Sequence, residues 1–232
     1  MATQPKDVYI PLSSWKVIVD TVSPTPRGMD AFFVKALEQF NRYAQTITGD
    51  IGDSIQGCQK HLDNFLKTAQ EIVQAEAGEI PGRLGRLREF PYGPETLSYQ
   101  VFNYKGEDCI NIREDRLAEL LSKYDIFRGT MAFMEKTVAE GDLGIFKNSF
   151  TFIHKPLQQA ADLFDDAIDK LPIERTAELG KKADPHYVHI AGTEETDAYE
   201  KGQICRAIKP GYAFEGREIQ EGVVYVATPP GS

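Results

Sequence analysis

Histidine and cysteine, the side chains that most often carry metals or nucleophilic chemistry, are scarce in this chain. Its 232 residues include 4 histidines and 3 cysteines. The cysteines are odd in number and lie far apart, which is typical of a reduced intracellular protein and not of a disulfide scaffold. The sequence also has no G-x-S-x-G nucleophile elbow. We therefore expect no catalytic residues, no metal, no cofactor and no enzymatic activity.

An excess of basic charge and long apolar runs are missing as well. The net charge is −9, whereas binding to nucleic acid or to an anionic membrane needs a basic surface. No run approaches the roughly 18 apolar residues of a membrane-spanning helix. The first residues, MATQPKDVYIPLSSW, lack the basic and then apolar pattern of a signal peptide. The prediction is a soluble intracellular protein, cytoplasmic or inside an assembled particle, that binds proteins and neither nucleic acid nor membranes.

What the sequence does contain is two long apolar seams that repeat in steps of four and three residues. This spacing places each seam on one face of a helix and requires another helix to cover it. The first seam predicts a helical region that begins near Asp30 and ends at Gly78, and the second predicts a helix over residues 114–140. We predict that the first seam forms a helix interface through Phe33, Leu37, Phe40, Ile47, Ile51, Ile55, Leu62 and Phe65.

Two glycines interrupt the first seam and leave two interpretations open. Gly49 and Gly52 lie in Thr-Gly-Asp-Ile-Gly-Asp-Ser, and each glycine costs about 1 kcal/mol inside a helix. One interpretation is a turn that joins two antiparallel helices, residues 30–48 and 54–77. The other is one continuous helix whose seam contains a single extra four-residue step. The seam keeps its phase across the glycines, which favours the continuous helix.

Local patterns predict two further elements. Alternating apolar residues around Tyr99, turn residues at 105–108 and a returning apolar run predict a β-hairpin over about residues 96–113. A third helix is predicted near residues 145–171, with a kink or a new helix start at Pro156.

Together these elements predict a mainly α protein with minor β: an elongated antiparallel helical bundle with an inserted β-hairpin and a β-rich C-terminal tail. Residues 1–28 are predicted to be an extended or strand segment, since apolar residues alternate there. The bundle with its hairpin is predicted for residues 29–183. Glycines recur every five to nine residues near the end of the chain, so residues 184–232 are predicted to form a β-rich arm or small subdomain.

One local basic cluster stands out in this acidic chain. Arg83, Arg86 and Arg88 lie in Gly-Arg-Leu-Gly-Arg-Leu-Arg. Arginines on a glycine-bearing loop can hold phosphate or carboxylate groups in bidentate geometry. The glycine spacing matches neither a Walker loop nor a dinucleotide-binding turn. We predict that this loop captures an anionic ligand or docks onto an acidic protein surface, such as another copy of this chain.

The sequence leads to one favoured functional hypothesis and two alternatives. The favoured one is a non-enzymatic structural or scaffolding subunit that assembles through its helical seams and extended termini. It would join a homo-oligomer or a larger complex, such as a virion or a multi-subunit machine, with copies of itself or other subunits as partners. The first alternative is a binding or effector module that uses the arginine loop. The second is an enzyme with an acid–base or metal site near His154, His186 and His189.

Overall fold

The structure, a computed structural model, describes residues 7–23, 42, 49–140 and 147–229. None of the described helices is long and apolar enough to cross a membrane. The chain divides into two compact units. The larger, here called the N-terminal unit, contains residues 9–112 and 119–171, and the smaller, the C-terminal unit, contains residues 1–8, 113–118 and 172–232.

The described residues form four helices and ten strands. The helices are α1 (Leu12–Val22), α2 (Asp50–Ala75), α3 (Glu114–Glu140) and α4 (Lys147–Asp169). The strands are β1 (Asp7–Pro11), β2 (Arg86–Tyr92), β3 (Glu95–Tyr104), β4 (Glu107–Arg113), β5 (Glu174–Arg175), β6 (Val188–Glu195), β7 (Ile204–Lys209), β8 (Tyr212–Phe214), β9 (Arg217–Gln220) and β10 (Gly222–Thr228).

The prediction of a mainly α helical bundle is wrong. The ten strands of the described residues form three sheets, with the orders β1-β4-β3-β2, β6-β10-β7 and β5-β8-β9. The hairpin of β3 and β4 is not an insertion between helices, because both strands lie at the centre of the four-stranded sheet. Strand β2 lies at a sheet edge and exposes most of its side chains, and its sequence shows no clear alternation of apolar and polar residues. Its pairing with β3 therefore cannot be predicted from hydrophobic pattern alone.

The N-terminal segment is a helix where alternation predicts a strand. Residues Leu12–Val22 form α1. Trp15, Ile18 and Val22 are buried and lie at the three- and four-residue steps of one helix face. The same stretch also alternates between apolar and polar residues, so both periods fit it, and packing in the folded unit selects the helix. Within residues 7–23, the part of this segment that the structure describes, β1 alone keeps the predicted extended form.

Helix α2 begins at Asp50, so the continuous helix favoured by the phase of the seam is wrong at Gly49. Gly49 has a φ of +79°, a left-handed conformation that an α-helix does not contain. Gly52, by contrast, is buried inside α2. The predicted first half of the helical region lies outside the described residues, apart from Arg42, which is helical.

Two other predictions are confirmed. Helix α3 covers residues 114–140 as predicted. The hairpin pairs β3 with β4 through Lys105 and Gly106, whose φ values of +51° and +89° suit the type I′ turns that match the twist of hairpin strands. The predicted third helix is α4, which continues through Pro156, so the prediction of a new helix start there is wrong.

The helices of the N-terminal unit meet at the ring of Phe65 on α2. Its centroid lies 5.4 Å from that of Tyr124 and 6.1 Å from that of Phe127, both on α3. The Phe164 ring of α4 approaches it edge-on at 4.7 Å. Aromatic pairs at such distances stabilise a core by about 0.5–1.5 kcal/mol beyond the burial of their area. A single buried ring thus joins three helices.

Tyr99 joins the sheet of the N-terminal unit to its helices. From β3, its hydroxyl donates a 2.7 Å hydrogen bond to the carbonyl of Val73, in the last turn of α2, where carbonyls lack partners within the helix. Its ring meets Trp15 of α1 edge-on at 5.9 Å and Phe90 of β2 at 5.6 Å. Burial raises the pKa of the Tyr99 hydroxyl above its usual value.

We predict that Tyr99→Phe lowers the free energy of unfolding by about 1–3 kcal/mol, because the Val73 carbonyl would stay buried without its partner. Urea unfolding followed by circular dichroism measures the change. Tyr9→Phe is the matched control, since it keeps a ring stacked on Tyr104 at 4.2 Å. The control should change stability by less than about 0.5 kcal/mol. Equal losses in the two variants would contradict the role given to the Tyr99 hydroxyl.

Candidate protein-interaction surfaces

The C-terminal unit is built around strand β10. This strand lies between β6, to which it is parallel, and β7, to which it is antiparallel. Its Val224 and Val226 join Val188 and Ile204 in an apolar cluster. Because successive side chains of a strand point to opposite faces, Tyr225 lies on the face of the sheet away from this cluster.

Three side chains from three strands meet on that second face. The Arg206 guanidinium lies over the Tyr225 ring, 4.0 Å from its centroid. Arg206 Nε is 3.0 Å from a carboxylate oxygen of Glu194. A Cβ on Gly192 would come within 2.9 Å of the Tyr225 ring, so glycine is what lets the ring approach β6 this closely. We call Glu194, Arg206 and Tyr225 the Tyr225 patch.

The Tyr225 patch is only partly exposed, since Arg206 and Glu194 are exposed whereas Tyr225 is half-buried. The Arg206 and Glu194 side chains are 54% and 48% exposed, so their ion pair adds little stability. Cation–π attraction between the same guanidinium and the Tyr225 ring adds to this pair. Tyrosine and arginine are the side chains most enriched among the energetic centres of protein interfaces. The patch is therefore suited to binding another protein.

Exposed apolar residues lie on both edge strands of the same sheet. Ile190 on β6 is 41% exposed and Ile208 on β7 is 55% exposed. A lone exposed apolar residue is common on protein surfaces, but these two lie on strand edges, which other chains can pair with. Among the strands that the structure describes, none pairs with the outer side of β6 or β7. At the start of β7, Ile204 already exchanges backbone hydrogen bonds with Gly180 and Lys181. The sheet therefore offers apolar surface to a partner, together with the outer backbone groups of β6 and of the later residues of β7.

A second arginine fixes the start of α3 to the strands of the C-terminal unit. Arg217 Nε on β9 lies 3.0 Å from a carboxylate oxygen of Glu114, and the two side chains are 32% and 23% exposed. Arg217 Nη2 also donates a 3.2 Å hydrogen bond to the carbonyl of Asp7. Glu114 is the first residue of α3, where the helix dipole favours a negative charge. Removing either charge would leave the other partly buried without its partner.

The predicted arginine loop is largely a strand. Arg86 and Arg88 lie on β2, and Arg83 lies shortly before it. Arg86 Nη2 donates to both carboxylate oxygens of Asp108, at 2.8 and 3.0 Å. The Arg83 guanidinium lies 6.0 Å from the centroid of the Phe102 ring. All three arginines are exposed, and their binding of an anionic group stays a prediction.

The described part of the predicted helix seam is buried inside this chain. Ile55, Leu62 and Phe65 are 2%, 2% and 1% exposed, so they belong to the core of the N-terminal unit. Ile51 lies at the start of α2. As a contact between chains, the seam stays a prediction. Its remaining members, Phe33, Leu37, Phe40 and Ile47, lie outside the described residues.

Of the three histidines in the predicted acid–base or metal site, one packs between two helices and two are exposed. His154 Nε2 on α4 lies 2.7 Å from a carboxylate oxygen of Glu135 on α3, and its ring stacks on Phe150. His186 and His189 are exposed. In the part of the chain that the structure describes, no three His, Cys, Asp or Glu side chains converge as a metal site requires.

The three cysteines differ in accessibility. Cys58 on α2 is fully buried, and burial together with the Glu135 carboxylate raises the pKa of its thiol to about 12. Burial also raises the pKa of the Cys109 thiol. Cys205 is only partly buried. Because the thiolate is the reactive form, Cys58 and Cys109 should be inert in the folded protein.

We predict that Ellman's reagent at about pH 8 modifies Cys205 in the folded chain and spares Cys58 and Cys109 until denaturant is added. Mass spectrometry of the labelled peptides identifies each thiol. Cys205→Ser should abolish labelling of the folded chain. If Cys58 were labelled as fast in the folded chain as in denaturant, the buried position of this face of α2 would be wrong.

No local motif in the sequence marks the Tyr225 patch. Its members come from three strands that are far apart in the chain, and only the sheet register brings them together. One signal was available in Gly192, because a glycine inside a β-rich run often marks the close approach of another group. The identity of that group, the Tyr225 ring, depends on a pairing between distant segments.

The family comparison covers this part of the chain. The sequence profile of the GrpE family matches residues 111–228, just over half of the chain. A search of curated proteins found no match. The matched residues run from the end of β4 through α3 and α4 to the last residue of β10, and they include the Tyr225 patch. The chain belongs to the GrpE family.

Proposed function

We propose that this chain is a nucleotide-exchange co-chaperone that binds a DnaK-type chaperone and works as a dimer. GrpE proteins are co-chaperones of this kind and are not catalytic enzymes. The observation that carries the proposal is the family match over residues 111–228.

The family also revises the functional hypothesis drawn from the sequence. A role in protein–protein interaction agrees with membership of the GrpE family. The suggestion of a virion scaffold is wrong, because the family consists of co-chaperones. The partner expected for this chain is therefore a chaperone, together with a second copy of the chain itself.

We propose the β6-β10-β7 sheet as the surface that contacts the chaperone. The sheet lies inside the matched residues and carries the Tyr225 patch, with exposed apolar side chains on both edge strands. Its strands are held by backbone pairing and by an apolar cluster on the opposite face. Such a surface loses little conformational freedom on binding, so more of its contact energy appears as affinity.

Nucleotide exchange of this kind needs no bond-making by the co-chaperone. If the chain binds the nucleotide-free chaperone more tightly than the nucleotide-bound form, it weakens nucleotide binding by the same factor, because the two equilibria are linked. Only this difference in affinity matters, and uniform binding to both forms would shift nothing. The task of the Tyr225 patch is thus to recognise one conformation of the chaperone.

We propose that an exposed face of α3 contributes to the dimer. Ile126 and Phe133 are 44% and 62% exposed and lie two turns apart on the same side of the helix. Gly129 lies between them, and no atom lies within 4 Å of the position that a Cβ would take there. A second helix can therefore approach closely and cover both apolar side chains.

We predict that the chain accelerates the release of fluorescent ADP from a DnaK-type chaperone, as measured by stopped-flow fluorescence. Arg206→Glu should reduce this acceleration by about tenfold or more, because it removes the cation from the Tyr225 ring and places a like charge beside Glu194. Lys67→Glu is the matched control, since it makes the same charge change at a side chain that is 77% exposed on α2, outside the β6-β10-β7 sheet. No acceleration by the unsubstituted chain would contradict the proposed function.

We predict that light scattering gives about twice the chain mass of 26.0 kDa, as a dimer requires. Phe133→Glu should shift the chain to the monomer, because it would bury an unpaired charge in the interface. Ala139→Glu is the control, since it adds the same charge at an exposed position of α3 away from this face. A monomeric unsubstituted chain would contradict the dimer, and a dimer that survives Phe133→Glu would contradict this face.

A further inference from the structure

Strand β2 lies at an edge of the N-terminal sheet, outside the family match. The order β1-β4-β3-β2 leaves one side of β2 without a partner strand among the described residues, and the match begins only at residue 111. An unpaired edge exposes backbone N–H and C=O groups, which proteins either block or use to bind another strand. Nucleotide exchange gives this edge no role.

The turn after β2 determines which of its backbone groups point outward. Tyr92 and Glu95 pair across the two-residue turn of Gly93 and Pro94. Gly93 has a φ of +62°, which is typical of the first position of a type II′ turn. The residues that flank such a turn bond to each other, and bonding to the partner strand then alternates along the strand. Counting back in steps of two from Tyr92, the residues that bond to β3 are Phe90, Arg88 and Arg86. The backbone groups of Leu87, which lies between the last two, therefore point away from β3.

The side chains of β2 give this edge a definite chemistry. Arg86 and Arg88 share one face of the strand, and Leu87 lies on the other, because side chains alternate. Both arginines are exposed, and Leu87 is 47% exposed. Pro91 belongs to the same outward set as Leu87, so its missing N–H costs no bond to β3. A partner strand would meet guanidinium groups on one face, and the apolar side chain of Leu87 beside the exposed Glu89 carboxylate on the other.

The segment before β2 is fastened to the sheet by Gln100. This side chain is 7% exposed, and its Nε2 donates a 2.8 Å hydrogen bond to the carbonyl of Arg83. Its Oε1 accepts a 2.8 Å hydrogen bond from the backbone N–H of Ile80. Leu84, in the segment so held, is 100% exposed. The edge and its apolar extension are therefore ordered before any partner binds, which lowers the entropic cost of binding.

Charge complementarity indicates the partner. The chain has a net charge of −9, yet this edge carries a cluster of arginines. The pair of Arg86 with Asp108 is 67% and 34% exposed, and exposed ion pairs contribute little. A carboxylate from a partner can therefore replace Asp108 at small cost, and Arg88 lies on the same face to bind a second one.

We propose that the outer edge of β2 binds an extended acidic segment of a partner protein by strand addition. The bound segment carries Asp or Glu at the alternate positions that face Arg86 and Arg88. It carries an apolar residue at the position that faces Leu87. The backbone groups of β2 provide the ladder, and its side chains select the sequence pattern.

The test is the fluorescence anisotropy of labelled peptides mixed with the full chain. A peptide in which Glu and Val alternate should bind. A peptide with Lys in place of Glu should bind about tenfold more weakly or worse, because like charges would face each other. An alternating Glu–Val peptide that carries N-methyl groups throughout should lose binding to a similar degree, because it has no N–H groups for the ladder.

Protein variants test the same contact from the other side. Arg88→Glu should weaken the alternating Glu–Val peptide by about tenfold. Lys67→Glu, which makes the same charge change at a side chain that is 77% exposed on α2, should leave binding unchanged. Circular dichroism confirms that both variants are folded.

Three results would overturn the proposal. Equal binding of the N-methylated peptide would exclude strand addition, and equal binding of the Lys peptide would exclude the acidic partner. No binding of the Glu–Val peptide at millimolar concentration would remove the site altogether. None of these results bears on ADP release, which is measured without peptide.

Discussion

Strand β10 is the constraint on which the C-terminal unit and its surface depend. It pairs with β6 on one side and with β7 on the other, so the segments that carry the Tyr225 patch meet only because this strand lies between them. The backbone comes very close to residue 211 at the first residue of β10, since a Cβ on Gly211 would lie 2.7 Å from the backbone nitrogen of Gly222. The same Cβ would lie even closer to the Thr176 hydroxyl, so a larger residue at position 211 would force its neighbours to shift.

We propose two protein-binding surfaces of different character on this chain. The β6-β10-β7 sheet lies within the GrpE match and offers an aromatic and charged patch suited to recognising one conformation of a folded partner. The edge of β2 precedes the match and offers backbone groups with arginines, suited to an extended acidic segment. The first surface would recognise the shape of a folded partner, whereas the second would recognise the charge and residue pattern of an extended segment. We therefore expect the two surfaces to select different partners.

The sequence predicts the elements whose signals are local, and it fails where pairing between distant segments decides. Helix α3 and the β3–β4 hairpin follow from apolar period and turn residues close in the chain. Helix α1 does not, because Trp15 and its neighbours fit both a strand and a helix until they pack. The β-rich character of the C-terminal residues is visible in their glycines. The parallel pairing of β10 with β6 cannot be predicted in this way, since no local pattern encodes a contact between segments that far apart in the chain. The Tyr225 patch depends on that pairing and is therefore not predictable either.

Hydrogen–deuterium exchange of the full chain, with and without a nucleotide-free DnaK-type chaperone, tests most directly whether the β6-β10-β7 sheet is the contact surface. We predict slower exchange of the amides of Ile204–Lys209 and Val188–Glu195 when the chaperone is present. The buried amides of α2 should exchange at an unchanged rate. Slower exchange confined to other segments, with both edge strands unaffected, would contradict the assignment of this sheet as the chaperone-binding surface.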